Sequence, residues 1–295
     1  MLQRIKLYGI LFLSIISSYS YGQGSLTIKD TLQQEGAYIH SIVQSQKGTY
    51  YGYGVGSFAV CVLDNKLQKK FEFKLNGLWG GGGIDFSADE KYLAYFSYGD
   101  VDTLQIYNIQ NKEKKAILSD RIKGIKFINK KNDILFFYEN NLSIYSVKEE
   151  KVIKTIVLET PIDEVQIDPN LKKGYVLDRT GVIRVLNLKT LSIEDSLLKL
   201  DYPSNQLLIS DSYIAYGSSE GLSIYDRKQK KYILQASPNL GYITEIYLGK
   251  KQFYVTGRTA KMLTYDPVSD IQKILDIPVS DIGSFSVFEL KNAEI

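Results

Sequence analysis

His40 is the only histidine and Cys61 the only cysteine in this 295-residue chain, so few catalytic arrangements can be built. A Ser-His-Asp triad would have to use His40, and its neighbour Ser41 would point to the opposite face of a strand. A structural zinc site needs about four ligands, mostly from His and Cys. Cys61 stands in the apolar run FAVCVL, where a thiol behaves as a small buried hydrophobe. We therefore expect neither a catalytic residue nor a metal site at these two side chains.

Carboxylates are the one group that could support catalysis, because many glycosidases use only a pair of acids placed across the substrate. Most of the aspartates in this chain stand beside turns, where the side chain caps the backbone for structural reasons. Two of them, Asp100 and Asp102, resemble a calcium loop only over that short stretch. The candidate acids are Asp85, Asp100, Asp102, Asp163, Asp178 and Asp281.

Short runs of one pattern return along the chain at nearly constant spacing. Each has the form apolar-x-apolar-Tyr/Leu-Asn/Asp/Ser. The Tyr/Leu position falls at Tyr107, Tyr145, Leu186, Tyr225 and Tyr265, in steps of 38, 41, 39 and 40 residues. A sixth run, FAVCVLDN, puts Leu63 a looser 44 residues before Tyr107. Steps of about 40 residues that contain only short strands are typical of β-propeller blades.

Each repeat has the pattern of four short strands joined by polar turns. In the third repeat, strands are predicted over 124–129, 133–138, 142–147 and 151–158, because apolar runs alternate with turn clusters. The sequence therefore predicts an all-β fold, a β-propeller of six complete four-stranded blades. The six modules are predicted over 37–75, 84–118, 124–158, 163–198, 205–236 and 243–277.

Two more strand-like segments lie outside the six modules, at 25–32 and 285–290. Pairing of the N-terminal and C-terminal strands would close the ring and leave few exposed edges. These segments either complete the sixth blade or form a partial seventh.

The run GIDFSADEKYLAYFS at 83–97 resembles the strand-turn-strand signature of WD40-like repeats in bacterial propellers of the TolB type and the YncE-like type. A weaker copy, Ile167 to Asn170, stands in the fourth module. The resemblance implies a non-enzymatic propeller that binds a partner, although a repeat of this kind specifies folding and not function. The GH and WD dipeptides of eukaryotic WD40 repeats are missing, so their buried His-Asp networks do not carry over.

The first 22 residues have the features of a secretory signal peptide. Arg4 and Lys6 precede the apolar stretch LYGILFLSII, and a small-residue exit ends at Gly22. The apolar stretch is shorter than the roughly 20 residues that span a membrane, and a retained anchor is the alternative. We predict a signal peptide over 1–22 and a single β-propeller domain over 23–295. Such a product would be exported, to the periplasm or the extracellular space of a bacterium.

Charge and aromatic content restrict the ligands. Removal of residues 1–22 would take away two basic residues and no acid, which lowers the formal net charge from +3 to +1. A chain so close to neutral has no long-range field to attract nucleic acid, and we expect no nucleic-acid partner. Propellers that bind quinone cofactors are usually rich in tryptophan, whereas Trp79 is the only one here. We expect no cofactor, and a monomer.

The turns between the first and second strands, and between the third and fourth, should open on one face of the propeller. Lysine dominates these turns, and we call this predicted face the lysine rim. Lysine solubilises hairpin tips and discourages edge pairing; weak contact with an anionic envelope surface is a second interpretation. The lysine rim comprises Lys91, Lys112, Lys114, Lys115, Lys130, Lys131, Lys148, Lys151, Lys172, Lys173, Lys228, Lys230, Lys231, Lys250 and Lys251.

The opposite face should carry the remaining turns, and we call it the aromatic rim. Tryptophan, tyrosine and arginine dominate binding hot spots because they combine large contact area with directional polar groups. Gly80 to Gly83, which follow Trp79, would let this loop adapt or allow close backbone approach. The predicted binding residues are Trp79, Tyr98, Arg121, Arg179, Tyr202, Glu220, Tyr242 and Arg258.

Two functions of different classes follow from the sequence. The favoured one is an exported, non-enzymatic scaffold or binding propeller that holds a protein, peptide or glycan on the aromatic rim. The alternative is a carboxylate-based hydrolase or lyase that acts on glycans in the central funnel.

Overall fold

All six repeat positions lie in strands of a computed structural model of the chain. The structure describes residues 8–15, 30–35, 39–55, 59–74, 79–98, 103–118, 122–128, 131–168, 172–204, 206–236, 239–259, 261–276 and 286–288. None of these residues is helical, and the described part of the chain accordingly holds no helix long and apolar enough to cross a membrane.

Twenty-four of the strands form six antiparallel sheets, each made of four strands consecutive in sequence. Before the first sheet stand β1 (Tyr8–Ile15) and β2 (Asp30–Glu35). Blade 1 contains β3 (Ile39–Gln44), β4 (Tyr50–Val55), β5 (Ala59–Asp64) and β6 (Lys69–Lys74). Blade 2 contains β7 (Trp79–Phe86), β8 (Tyr92–Tyr98), β9 (Thr103–Asn108) and β10 (Lys114–Leu118). Blade 3 contains β11 (Gly124–Phe127), β12 (Ile134–Tyr138), β13 (Asn141–Ser146) and β14 (Lys151–Val157).

Blade 4 contains β15 (Ile162–Ile167), β16 (Lys173–Asp178), β17 (Val182–Asn187) and β18 (Ser192–Lys199). Blade 5 contains β19 (Gln206–Ile209), β20 (Tyr213–Gly217), β21 (Leu222–Asp226) and β22 (Lys231–Ala236). Blade 6 contains β23 (Ile243–Leu248), β24 (Phe253–Gly257), β25 (Lys261–Asp266) and β26 (Ile271–Asp276), and β27 (Ser286–Phe288) follows it. The predicted fold class is confirmed: among the described residues the chain is an all-β propeller of six four-stranded blades.

The four strands of each blade are called a to d in chain order. Because neighbouring strands are antiparallel, the a–b and c–d turns lie at one end of a blade, the a–b end. The b–c turn and the connection into strand a lie at the other, the b–c end. The repeat positions fall in strand c of every blade, from Leu63 in β5 to Tyr265 in β25.

The two units into which the chain divides are residues 40–203, with blades 1 to 4, and residues 1–39 with 204–295, with blades 5 and 6. The second unit also holds a three-stranded sheet in which β1 pairs antiparallel with β2 and parallel with β27. The N-terminal and C-terminal strands therefore pair, but through residues 8–15 and not directly between the predicted segments 25–32 and 285–290. Because β1 lies inside the predicted signal peptide, removal of residues 1–22 stays a prediction.

The polar residue that ends each repeat run has a structural function: it caps the c–d turn. In blade 4, Asn187 Oδ1 accepts the N–H groups of Lys189 and Thr190 at 2.9 and 3.1 Å. Leu191, which follows, has φ 53° and donates its N–H to the carbonyl of Asn187. The side chain thus holds the amides of a turn that ends in a left-handed residue. The same position is occupied by Asp64, Asn108, Ser146, Asp226 and Asp266, whose side chains also accept backbone N–H groups of their turns.

Loss of one cap should therefore weaken one turn. We expect Asn187→Ala to lower the free energy of unfolding by about 1 kcal/mol, the typical effect of removing a hydrogen bond to backbone amides. Urea unfolding followed by circular dichroism measures the change. Asn187→Ser is the control, because serine caps the equivalent turn of blade 3, where Ser146 Oγ accepts the Glu149 N–H. An alanine variant as stable as the parent would show that Leu191 adopts its left-handed conformation without the cap.

The hydrophobic cores lie between adjacent blades. In β12 the run ILFFY is apolar throughout because both faces of the strand are covered. Ile134 and Phe136 join a core that blade 3 shares with blade 2, whereas Leu135 and Phe137 join one that it shares with blade 4. Blades 1 and 2, and blades 5 and 6, share cores of the same kind. Alternation with a period of two thus directs successive residues to different neighbours.

The SADE turn of blade 2 joins three blades at their a–b ends. Tyr92 N–H donates to Ser87 Oγ at 2.9 Å, and Ser87 Oγ donates to Asp89 Oδ1 at 2.7 Å. Asp89 Oδ2 accepts Asn132 Nδ2 of blade 3 at 3.2 Å, and Glu90 accepts a backbone N–H from blade 1 at 3.0 Å. Residues of the run 83–97 therefore form this turn and also accept hydrogen bonds from the two neighbouring blades.

Asp89 and Asp85, both in blade 2, should respond to acid in opposite ways. Burial by itself would raise the pKa of Asp89, but hydrogen bonds from Ser87, the Lys91 amide and Asn132 outweigh it and hold the pKa below its ordinary value. Its contribution to stability is therefore complete at neutral pH and is lost as pH falls below about 4. Burial raises the pKa of Asp85, which lies in β7. The charge on Asp85 therefore destabilises the fold at neutral pH, and this effect vanishes in acid.

We therefore expect Asp89→Asn to be less stable than the parent at pH 7 and to approach it at pH 3. Asp85→Asn should be at least as stable as the parent at pH 7 and lose any advantage at pH 3. Urea midpoints of the three proteins across this range measure both slopes. Parallel pH profiles for the two variants would contradict the opposite pKa shifts of Asp89 and Asp85.

Candidate functional site

Arg258 and Tyr242 form an exposed stacked pair at the b–c end of blade 6. The Arg258 guanidinium carbon lies 4.9 Å from the centroid of the Tyr242 ring, within the range of cation–π contact. The Arg258 amide donates to the Tyr242 carbonyl at 3.0 Å, so the same two residues are also joined through the backbone. Tyr242 is 39% exposed, and Arg258 is exposed as well. Two of the predicted binding residues are thus brought together.

Glycine lets the two loops that carry this pair approach closely. Gly257 ends β24, and a Cβ at this position would overlap the carbonyl oxygen of Leu240 and lie 2.9 Å from the carbonyl carbon. Gly241 adopts φ +66°, a conformation that L side chains rarely take. Thr259 N–H adds a bond to the Leu240 carbonyl at 3.2 Å. These backbone contacts hold the two loops together, and the cation–π contact joins the side chains of Arg258 and Tyr242.

Arg179 occupies in blade 4 the position that Arg258 has in blade 6. Each arginine follows the last residue of strand b, and each is followed by threonine. The Arg179 amide donates to the Pro161 carbonyl at 2.8 Å, as the Arg258 amide does to Tyr242. Arg179 Nε lies 3.6 Å from Asp163 Oδ1. Lys123 Nζ lies 2.6 Å from the same oxygen, so this carboxylate is shared by two cations.

The other predicted binding residues are placed as follows. Trp79 and Tyr98 are opposite each other in the β7–β8 ladder, at the b–c end of blade 2. Glu220 lies in the exposed b–c turn of blade 5, where its amide donates to Ser218 Oγ at 3.0 Å. Tyr202 lies partly buried in the connection between β18 and β19. Arg121 is outside the described residues.

The described candidate carboxylates each have a structural partner. Asp85 Oδ2 accepts the Phe127 amide at 2.7 Å, which joins strands a of blades 2 and 3. Asp178 is almost fully buried, accepts the amides of Thr180 and Val182, and pairs with Arg184 at 3.2 Å. Asp163 Oδ1 pairs with Arg179 and Lys123. Asp100, Asp102 and Asp281 are outside the described residues.

The lysines at the a–b ends are partly neutralised by acids of the same turn or of the neighbouring blade. Lys91 pairs with Asp89 at 3.7 Å and Lys151 with Glu149 at 3.0 Å. Lys115 pairs with Glu150. Water screens exposed pairs of this kind, so they add little to the stability of the fold. They do lower the net positive charge of these turns. Lys130 is outside the described residues.

Cys61 and His40 lie in strands, in agreement with the sequence. Cys61 is 3% exposed in β5, and burial raises the pKa of its thiol, which keeps it protonated and unreactive at neutral pH. His40 belongs to β3. Among the described residues no cluster of three or more His, Cys, Asp or Glu side chains could hold a metal ion.

The sequence does not predict that Arg179 faces a carboxylate whereas Arg258 faces an aromatic ring. A partial signal is the dipeptide Arg-Thr, which stands directly after strand b in both blades as Arg179-Thr180 and Arg258-Thr259. Nor does it predict the exposed apolar side chains on two outermost strands, Val152, Ile153 and Val157 of β14 with Ile271 and Ile274 of β26.

The fold places the chain in the class of all-β, six-blade propellers, a class that commonly supplies binding or scaffold modules. No protein-family model and no curated protein matches the chain.

Proposed function

We propose that this protein is a non-enzymatic propeller that binds a protein or peptide partner at the b–c end of blade 6, through Arg258 and Tyr242. The observation that carries the proposal is the preformed, exposed cation–π pair. Arginine and tyrosine are enriched among binding hot spots, and side chains already held in place lose little entropy on association. No observation on the described residues favours the alternative of a carboxylate-based hydrolase or lyase.

The proposal includes a family relationship to the WD40-like repeats of TolB-type and YncE-like propellers. Its support is the run 83–97, which forms the a–b hairpin of blade 2 with the turn expected of that signature.

The proposal also includes export, because Arg4, Lys6 and the apolar stretch that follows have the order of a signal peptide. N-terminal sequencing of the tagged protein from fractionated bacterial cells tests export: a mature chain that begins at Gln23 is expected. A chain that retains Met1 in the cytoplasm would exclude export.

Comparative affinity capture tests the binding site. Tagged parent protein, Arg258→Ala and the double variant Lys228→Ala plus Lys230→Ala are expressed in the native host, and co-purified proteins are quantified by mass spectrometry. The lysine variant is the matched control, because it removes exposed cations from the a–b end of blade 5. A partner that depends on Arg258 should fall at least about tenfold in the arginine variant, the effect of one lost charge-assisted contact of about 1.4 kcal/mol. Partners retained by Arg258→Ala and lost with the lysines would contradict the proposed site.

A further inference from the structure

Blades 4 and 6 have the same backbone arrangement around Arg179 and Arg258, and they differ in one side chain next to the arginine. In blade 4, strand a pairs with strand b at Ile162 and again at Glu164, and Asp163 between them is the extra residue of a bulge. In blade 6 the pairing has the same interruption, between Ile243 and Glu245, and the extra residue is Thr244. The register of the two bulges makes Thr244 the counterpart of Asp163.

Because of this difference, Arg179 has a carboxylate of the same chain beside it and Arg258 has none among the described residues. Arg179 faces Asp163 Oδ1 at 3.6 Å. Thr244 Oγ1 instead lies 3.4 Å from the hydroxyl of Thr256. Among the described residues no carboxylate lies within ion-pair distance of Arg258, and its guanidinium lies over the Tyr242 ring. In blade 4 the arginine shares its carboxylate with Lys123, whose Nζ lies closer to Asp163 Oδ1, at 2.6 Å. Blade 6 has an arginine at the same position and no carboxylate at the position of Asp163.

We infer that Arg258 binds a carboxylate side chain of an acidic peptide segment of the partner, at the place that Asp163 occupies in blade 4. The inference rests on the proposed function and specifies the chemistry of the partner. A guanidinium presents a planar fork of N–H donors that matches a carboxylate. Arg258 is exposed, so a ligand can reach these donors from solvent.

Acidic peptide fits this site better than acidic glycan. Sugars bind aromatic side chains by stacking on an open ring face. Arg258 lies over one face of Tyr242, and the residue as a whole is only 39% exposed, which leaves little ring surface for a sugar. An extended peptide needs no ring face, because its carboxylate can reach the guanidinium edge from solvent.

A reciprocal exchange between the blades tests the inference. Binding of fluorescein-labelled hexaglutamate is measured by fluorescence anisotropy at low salt, with hexaglutamine as the uncharged peptide and trigalacturonate as the glycan competitor. The variants are Thr244→Asp, which gives blade 6 the internal carboxylate, and Arg258→Ala. Thr244→Asn has a similar size and no charge and is the matched control. Asp163→Thr, which removes the internal carboxylate of blade 4, is the reciprocal change. Circular dichroism establishes that each variant is folded.

The parent should bind hexaglutamate at least about tenfold more tightly than hexaglutamine, and both Thr244→Asp and Arg258→Ala should reduce that affinity by about tenfold. Thr244→Asn should bind like the parent, and Asp163→Thr should bind more hexaglutamate because Lys123 and Arg179 lose their shared anion. Equal binding by the parent and Thr244→Asp, equal binding of the two peptides, or displacement by trigalacturonate alone would overturn the inference. If hexaglutamate fails to bind and Arg258→Ala still loses partners in affinity capture, the proposed function stands without the acidic peptide. If neither assay responds to Arg258, both are wrong.

Discussion

Gly257→Ala is expected to unfold the b–c end of blade 6. An added Cβ would overlap the carbonyl oxygen of Leu240 and approach the Cβ of that residue at 2.9 Å. The obstacle is the backbone of Leu240, which cannot rotate away as a side chain can, so the connection between blades 5 and 6 must move. Leu240 is fully buried in the core shared by these blades, and its displacement would open that core. We expect a loss of more than about 3 kcal/mol, the upper range for overpacked sites.

Gly174→Ala is the matched control, because a Cβ there meets only side-chain atoms of Leu186 and Ile167 at 3.2 to 3.4 Å. Those side chains can shift by a few tenths of an ångström, and alanine also reduces the freedom of the unfolded chain. The change should therefore be below about 1 kcal/mol. Urea unfolding followed by circular dichroism compares the two variants. Equal stabilities would show that Leu240 does not pack against Gly257 as described.

Asp178→Ala has the second-largest expected effect, about 2–3 kcal/mol, because it removes a buried carboxylate that accepts two backbone amides and a partly buried guanidinium. Asp178 Oδ1 accepts the amides of Thr180 at 2.9 Å and Val182 at 3.1 Å, while Oδ2 accepts Arg184. Alanine would leave these donors in the b–c turn of blade 4 without their acceptor and a half-buried guanidinium without its anion. The variant should be destabilised in denaturant and lose protection of the Thr180 and Val182 amides in hydrogen exchange.

Asp178→Asn separates the hydrogen bonds from the charge. Burial by itself would raise the pKa of Asp178, but the hydrogen bonds from Thr180 and Val182 outweigh it and hold the pKa below its ordinary value. The carboxylate thus stabilises the fold fully at neutral pH, and this contribution disappears as pH falls below about 4. The difference between the parent and Asp178→Asn should therefore shrink between pH 7 and pH 3. A difference that grows in acid would mean that the charge on Asp178 opposes folding.

The blades could be predicted from the sequence because their signal is periodic. Tyr107, Tyr145 and the other repeat residues recur near every 40 positions, and the polar residue after them is needed to cap each c–d turn. Alternation within runs such as ILFFY then follows from cores on both faces of a strand. These features are local, and each blade repeats them.

The pairing of side chains at the b–c ends could not be predicted, because it depends on the register of bulges. Asp163 has the residue type of a catalytic acid, and in the structure it pairs with Arg179 and Lys123. Thr244 carries no signal in the sequence, since threonine is common in strands. Its importance becomes visible only when the pairing of Ile243 with Gly257 aligns it with Asp163. Residue type and turn position are enough to select Tyr242 and Arg258 as candidate binding residues. The structure adds that the Arg258 guanidinium lies over the Tyr242 ring.

Photo-crosslinking in cells tests most directly whether partners bind the b–c end of blade 6. p-Benzoylphenylalanine is placed at Tyr242 in one protein and at Val268 in another. Val268 lies in the c–d turn of the same blade, at its a–b end, and is 89% exposed, so it controls for collision with abundant neighbours. A crosslinked partner at position 242 that is absent at 268, and that disappears when Arg258→Ala is added, is the expected result. Crosslinks of equal yield at both positions, or at 268 only, would contradict the assignment of the binding site.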